Sequence, residues 1–593
     1  VIHDSDEVPS IAIIPFENKG EDEDVFYAYG ISADLISDCS SAGLIRVASL
    51  KDVEKLDLNN MDTSEISKKL LVRYIAQGTL WKMGEMFQLS IELFDAKDKK
   101  VVWSDRWQEK WDNLPTIKSK LSDGLLKALN SKPKLNNKVE TYNTLAYKYY
   151  LKAKYKYEKR ESVEDIVIVR GLLNKAIDLD ETMTLAIIGI GITYFQVGDH
   201  NNAMKYYEIA LKVAKKSKDK KEIANCMSNI AHVYSKKNNY QKSLTLYNEA
   251  VQIQKELDDK KGYAKSLYNI GSIYSSQGIY NTASEYYIKS LEIRIEIDDK
   301  IGMGYCLNSI GNLDLHLGNT KSALINFERS LNIQVEINDN YMMSYSLACI
   351  GYAYHQKKDF DTSLHYYEKA LSIQKNLNDK IGAGHTYINI GNIFLDKNDI
   401  ERATIHYEKS FKIGKEVEDQ NMVGGSLLNI GNTLTVIGSF NEALEFFNKS
   451  LNIFEKINDQ RGVAYSLNGI SGIYYYKNDY KKSFDYGSKS LLIQQKIELK
   501  ENIWYNSQLI VMLNKKILKI PYNKNDLQKI LDNIDKIDYS INLILYDITS
   551  VKAYLRDAHN QIKKLISKTD NSLKDKFINY PIPKRILEEY KKL

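Results

Sequence analysis

The sequence predicts a mainly α fold, a solenoid of repeated helix pairs preceded by a small α/β domain. Three observations predict it. A set of small, aromatic and turn-forming residues recurs every forty residues through the middle of the chain. Proline is scarce, 7 in 593 residues, as long uninterrupted helices require. Before Ser131 the apolar spacing changes from threes and fours to short apolar runs and alternation.

The composition bounds the function classes. A chain of 593 residues is too long for one compact core and fits several domains or a repeat array. Hydrophobic residues at 43% and charged residues at 27% are ordinary for a soluble folded chain. The net charge of +5 is small for this length and gives no reason to expect nucleic acid or an anionic membrane as partner. The longest apolar stretch, Met183 to Val197, contains Thr and Gly and is too short to span a bilayer. Cys39, Cys226, Cys306 and Cys349 form no Cys-x-x-Cys pair, so they read as packed helix residues and not as a zinc or disulfide framework. No signal peptide opens the chain, and Val1 in place of Met leads us to expect a further segment upstream.

Taken in order, Ile11 to Phe16 reads as a buried strand and Phe26 to Cys39 as an amphipathic helix. Leu44 to Ala48 reads as a second strand and Ser64 to Leu71 as a short helix. Tyr74 to Lys82 and Met86 to Phe94 read as paired strands, because Leu89, Ile91 and Leu93 alternate with Gln88, Ser90 and Glu92. A turn at Asp95 to Asp98 leads into a strand from Val101 to Trp107, and a helix from Leu114 to Leu129 closes the domain.

From Tyr142 the pattern is helical. Gly191, Ala231, Gly271, Gly311, Gly351, Gly391, Gly431 and Ser471 share one place, each after an isoleucine. Twelve residues on stand Ala203, Ser243, Ala283, Ala323, Ser363, Ala403, Ala443 and Ser483. Four further on stand Tyr207, Tyr247, Tyr287, Phe327, Tyr367, Tyr407 and Phe447, with Gly487 as the exception. Spacings of three and four place these residues on facing sides of two helices per unit. A mid-helix Gly costs about 1 kcal/mol against Ala, so its recurrence needs close helix contact as a reason. Gly198, Asn238, Gly278, Gly318, Asn398, Gly438 and Asn478 punctuate the two helices, with Lys358 as the exception. The residues that follow, among them Asp199, Asn319 and Ser439, suit N-caps, and so does the Asp between units from Asp219 to Asp459.

These positions resemble the tetratricopeptide repeat (TPR) family, in which Leu-Gly and an aromatic mark the first helix and Ala, Phe/Tyr and Ala the second. The resemblance implies a right-handed TPR α-solenoid. It divides the chain into an α/β domain (1–130), a linker (131–141), an irregular first TPR (142–180), eight forty-residue units (181–499) and a helical C-terminal cap (500–593). The first domain resembles the TolB/FlgO-like domain of bacterial signalling proteins, through the Ile11 to Phe16 strand, Tyr29-Gly30-Ile31-Ser32, Tyr74 to Gly78 and Val102-Trp103. In that group the pair of regions follows a class III adenylate/guanylate cyclase domain, a winged-helix DNA-binding domain or a kinase. The end of the chain, Phe577 to Leu587, resembles a native C-terminus.

The sequence contains no kinase motif, phosphate loop, His-Glu-x-x-His or Gly-x-Ser-x-Gly elbow, so no catalytic residue, metal ligand or cofactor is expected. Gly189-Ile-Gly191 lies within a helix and reads as packing. His355, His365, His385 and His406 lie in neighbouring units without metal-ligand spacing. Asn229, Asn269, Asn389 and Asn429 share one place in the first helix, and Asn312, Asn392 and Asn432 another, three residues on. The TPR resemblance implies that both places line the groove, where an amide can donate to and accept from a peptide backbone. Tyr305, Tyr345, Tyr352 and Tyr465 add aromatic surface. Lys265 is the only basic residue at the family's usual carboxylate-clamp places, so capture of a C-terminal carboxylate is not expected.

The expectation is a non-catalytic scaffold or sensor region of a bacterial signalling protein, with a protein or peptide as partner, no nucleic acid and no membrane span. The alternatives are the regulatory half of a class III nucleotide cyclase and the effector part of a winged-helix transcription regulator. The expected location is the cytoplasm, with tethering to the inner membrane through an upstream segment as the alternative.

Overall fold

The computed structural model describes residues 9–129 except 42–45, 49, 55, 71 and 111–113, and residues 143–593 except 161–162, 498–501, 524, 533 and 535–536. The expected linker at 131–141 lies outside the described residues. The chain forms two compact units, residues 1–342 and 343–593.

The first unit opens with a six-stranded sheet. Its strands are β1 (Ser10–Ile13), β2 (Glu17–Asn18), β3 (Arg46–Val47), β4 (Tyr74–Met83), β5 (Met86–Asp95) and β6 (Lys100–Lys110), in the order β3-β1-β4-β5-β6, with β2 beside β4. β1 runs parallel to β3 and β4, whereas β4, β5 and β6 are antiparallel. Helices α1 (Val25–Ser41), α2 (Leu50–Glu54), α3 (Thr63–Leu70) and α4 (Leu114–Ala128) complete the domain. On β5, Phe87, Leu89, Ile91 and Leu93 are buried, as the alternation requires. β1 stops at Ile13, short of the expected Phe16, where Pro15 has no N–H for a ladder. Arg73, just before β4, closes the open end of the β4–β5 hairpin by donating from Nε and Nη2 to Asp95 Oδ2 at 3.0 and 2.7 Å.

This domain does not stand apart from the first helix pair, Thr144–Glu158 and Val163–Leu179. One core runs from Ile11, Phe26 and Leu35 through Leu151 and Leu173 to Met183 and Ile190. Gly30 lets Leu151 approach, since a Cβ there would stand 2.7 Å from its side chain. Buried Asp34 accepts from the Tyr147 hydroxyl and, at 2.6 Å, from Lys154 Nζ. The open end of the helical array is thereby covered, which a repeat structure needs.

Repeats 1 to 4 follow. Each has a helix A and a helix B: Thr184–Gln196 and His200–Ser217, Lys220–Lys236 and Tyr240–Glu256, Lys260–Ser276 and Tyr280–Glu296, Lys300–His316 and Thr320–Glu336. Repeats 5 to 8 are Asn340–Gln356 and Phe360–Asn376, Lys380–Asp396 and Ile400–Glu416, Gln420–Ile437 and Phe440–Lys456, Gln460–Tyr476 and Tyr480–Lys496. The first helix of repeat 5 begins just before the division between units.

The glycine–aromatic interlock is direct. A Cβ on Gly311, Gly391 or Gly431 would stand 2.6 to 2.8 Å from the ring of Phe327, Tyr407 or Phe447. The turn between helices A and B places a left-handed residue in every repeat, with φ from 57° to 90°. Lys358 adopts φ 59° although its side chain disfavours it. Asp199, Asp259, Asp299, Asp379, Asp419 and Asp459 cap their helices through their carboxylates. Asn319 and Ser439 do not: neither side chain caps the helix that follows, so the N-cap expectation fails at these two places.

Beyond repeat 8 lie helices Asn502–Ile517, Asn525–Leu531, Tyr539–Thr549, Lys552–Lys568, Asn571–Asn579 and Pro581–Tyr590. They pack through Leu509, Leu513, Leu545 and Ile548, then through Leu555, Ile562, Phe577 and Ile586. This segment also returns to earlier repeats. Tyr475 and Arg585 both bond Asp547, at 2.9 and 2.7 Å, Lys576 pairs with Glu401 at 2.5 Å, and Pro581 packs against Gly438. Among the described residues, no helix is long and apolar enough to cross a membrane.

Candidate functional site

Helices A of successive repeats touch one another directly, as Lys220–Lys236 does with Lys260–Ser276, and Lys380–Asp396 with Gln420–Ile437. Helices A therefore crowd onto one face in each unit, and their outward side chains share it.

In the second unit this face carries Asn389, Asn392, Asn429 and Asn432, each partly or fully exposed. Asn389 and Asn392 lie three residues apart and so share a helix side, as do Asn429 and Asn432. Asn392 accepts a hydrogen bond of 2.7 Å from the Tyr407 hydroxyl, which fixes its amide and leaves its two N–H donors for other groups. Tyr345 and Tyr352 stand 45% and 42% exposed on the same face, and Tyr465 is half-buried. A run of exposed rings beside amides suits an extended chain that offers backbone polar groups and occasional apolar side chains.

In the first unit, Asn229, Asn269 and Asn312 are half-buried on helices A, and Tyr305 is 41% exposed. Lys265 reaches solvent between them. Its surroundings lower its pKa from 10.5, first through loss of hydration and then through Arg294 and Lys261. Arg294 is itself paired with Asp299 at 2.6 Å.

The histidines are engaged separately. His355 Nε2 contacts Asp396 at 2.9 Å, and the His406 ring stacks 5.4 Å from Phe394. Among the described residues, no group of His, Cys, Asp and Glu could hold a metal ion. Cys226, Cys306 and Cys349 are thiols whose pKa burial raises.

Two features escaped sequence reasoning. The second left-handed position in repeats 1 to 7, occupied by Lys218, Asp258, Asp298, Asn338, Asn378, Glu418 and Asn458, precedes the capping Asp and is too mixed in residue type to stand out. A polar pocket between repeats 2 and 3 is built from turn and helix residues, some of them forty apart, whose types differ from unit to unit.

Antiparallel helix pairs in forty-residue register, locked by a small residue against an aromatic, define a helical-repeat protein of the α-solenoid class. The tetratricopeptide repeat model matches residues 181–256, 262–334, 342–416 and 423–496, half of the chain, and the chain belongs to the tetratricopeptide repeat family. A second model, the second domain of HilA/YgeH-like transcriptional regulators, matches residues 6–123. That is the α/β segment for which the sequence suggested a TolB/FlgO likeness, and the matching description is a different one. The putative adenylate cyclase 3 of Rhizobium meliloti (strain 1021) is 24% identical over 125 residues, 21% of this chain and 21% of that protein. The chain thus matches about a fifth of this relative's length.

Among solved structures, a Rap protein complexed with competence and sporulation factor aligns at TM-score 0.43 and 14% identity, over 59% of this chain and 96% of that one. Aspartyl phosphate phosphatase F from Bacillus subtilis aligns at 0.41 and 13%, over 59% and 93%. The apo quorum sensor NprR from B. thuringiensis aligns at 0.40 and 18%, over 51% and 96%.

Proposed function

We propose that this chain is a non-catalytic scaffold or sensor region that holds a protein or peptide along the helix-A face. The observation that carries the reading is the amide set Asn389, Asn392, Asn429 and Asn432, flanked by the exposed rings of Tyr345 and Tyr352. Amides spaced along neighbouring helices bind a backbone without selecting its side chains, which suits a regulatory region that receives an extended segment. Replacing the four asparagines with Ala should weaken partner binding tenfold or more (about 1.4 kcal/mol or more) while leaving circular dichroism unchanged. Wild-type affinity in that variant would remove the groove.

A second reading concerns the protein in which such a region works. The match to the putative adenylate cyclase favours a regulatory half of a class III nucleotide cyclase. The match of residues 6–123 favours the effector part of a transcription regulator. Sequencing the gene upstream of Val1 separates them: a cyclase domain there supports the former and a winged helix the latter. A start codon within a few residues removes both.

A further inference from the structure

Between repeats 2 and 3 the first unit holds a pocket of about 210 Å³, whose lining includes His232, Lys236, Tyr247, Asn269, Ser272 and Ser276. This is below the roughly 300–1,000 Å³ of sites for whole small molecules. Its wall comes from the end of helix A, the turn and helix B of repeat 2 and from helix A of repeat 3, so two consecutive repeats build it. None of the described lining residues is acidic.

Tyr247 is 1% exposed, and its hydroxyl has no hydrogen bond of good geometry; the Asn269 amide stands beside it and only tempers the rise that burial gives its pKa. Leaving a buried hydroxyl poorly paired is unfavourable, and a ligand oxygen in the pocket would relieve it. Around it stand the Asn269 amide, the Ser272 hydroxyl and the Lys236 ammonium, all able to donate, while the Ser276 hydroxyl already donates to the Ser272 carbonyl at 2.9 Å. His232 is held down to about 4 by burial first and then by Lys236, Lys265 and His200, so it is neutral at pH 7. A neutral imidazole still offers one N–H. Donors that converge beside a cation, with no carboxylate present, select a ligand made of acceptors. Two carboxylate oxygens would leave several of these donors unused, whereas the three oxygens of a phosphate monoester would not.

We propose that this pocket binds a phosphate monoester dianion, carried on a phosphorylated side chain of a segment held by the helix-A face of the first unit. The carrier rests on the groove reading above; the phosphate chemistry does not.

The test uses the full chain at constant ionic strength. The probes are inorganic phosphate, acetyl-Ala-phosphoSer-Ala-amide, its unphosphorylated form and its Glu counterpart. Calorimetry gives affinities, and the ring resonances of His232 report the site. Phosphate and the phosphopeptide should raise the titration of His232 by about one unit or more, since a dianion favours its protonated form. The other two peptides should leave it in place. Tyr247→Phe should weaken phosphate about tenfold, the loss of one hydrogen bond to a charged group. Its urea midpoint should change little, because the hydroxyl loses only a poorly aligned contact with Asn269. Lys236→Gln should weaken both phosphate probes and reduce their salt dependence. Unchanged phosphate binding in Tyr247→Phe, or no response of His232, would overturn the site. Equal binding of the Glu peptide would overturn the phosphate assignment. Binding of inorganic phosphate alone would uphold the pocket and overturn the peptide carrier.

Discussion

Ser471 and Gly487 invert an arrangement that other repeats share. In six of the other seven repeats a Gly on helix A admits a Tyr or Phe from helix B, with Ala231 in that place in repeat 2, but in repeat 8 the Gly sits on helix B and a Cβ there would stand 2.9 Å from Ser471 Oγ. Neither residue supplies a ring, and Val511 from the helix that follows closes on the space, its Cγ2 3.1 Å from where a Cβ on Gly487 would stand. Lys358 presents the opposite situation, a residue unsuited to its φ of 59° where Gly or Asn stands in the other repeats. Lys358→Gly should raise stability by about 0.5–1 kcal/mol, read as a higher urea midpoint. His406 packs on Phe394 and is held down to about 4 by burial, with Lys409 adding to it. Its folded value lies below the ordinary 6.5, so the unfolded chain binds more protons in between. The stability it contributes is therefore complete above pH 6.5 and is lost as the pH falls toward 4. His406→Phe should flatten the decline in unfolding free energy across that window; an unchanged pH profile would mean that His406 charges freely in the folded state.

At the scale of the helix pair, much was legible because local chemistry and packing agree. Gly or Asn at the turn, Asp at the cap and a small residue facing a ring recur at forty-residue steps, and each is selected by backbone geometry or volume. Helix α2 was not legible, since five residues carry too little periodicity to announce a helix. Neither was the return of the C-terminal segment to Glu401 and Gly438, because ties such as Lys576 to Glu401 join positions far apart without any repeating pattern. The asparagines of the candidate site were legible as a column but not in their bonding: that Tyr407 anchors Asn392 depends on the helix pair's geometry. Two glycines on one helix separate packing from propensity. A Cβ on Gly431 would lie 2.8 Å from Phe447, while one on Gly425 would meet nothing within 4 Å. Gly431→Val should cost about 2–3 kcal/mol by overpacking. Gly425→Ala should gain about 0.5–1 kcal/mol through helix propensity. Equal effects in urea denaturation would refute the interlock.

At the scale of the whole molecule, each unit brings helices A onto one face and gives that face amides and exposed tyrosines. Helices B carry the other side, where Ile405 is 50% exposed. If the chain works by holding a partner on the helix-A face, contact should follow that division. The direct measurement places a photo-crosslinking phenylalanine at Tyr352 or at Ile405 in the full chain within its native host. We expect a discrete covalent adduct from position 352, lost when Asn389, Asn392, Asn429 and Asn432 are Ala, and none from position 405. Adducts from Ile405 with none from Tyr352 would contradict the account.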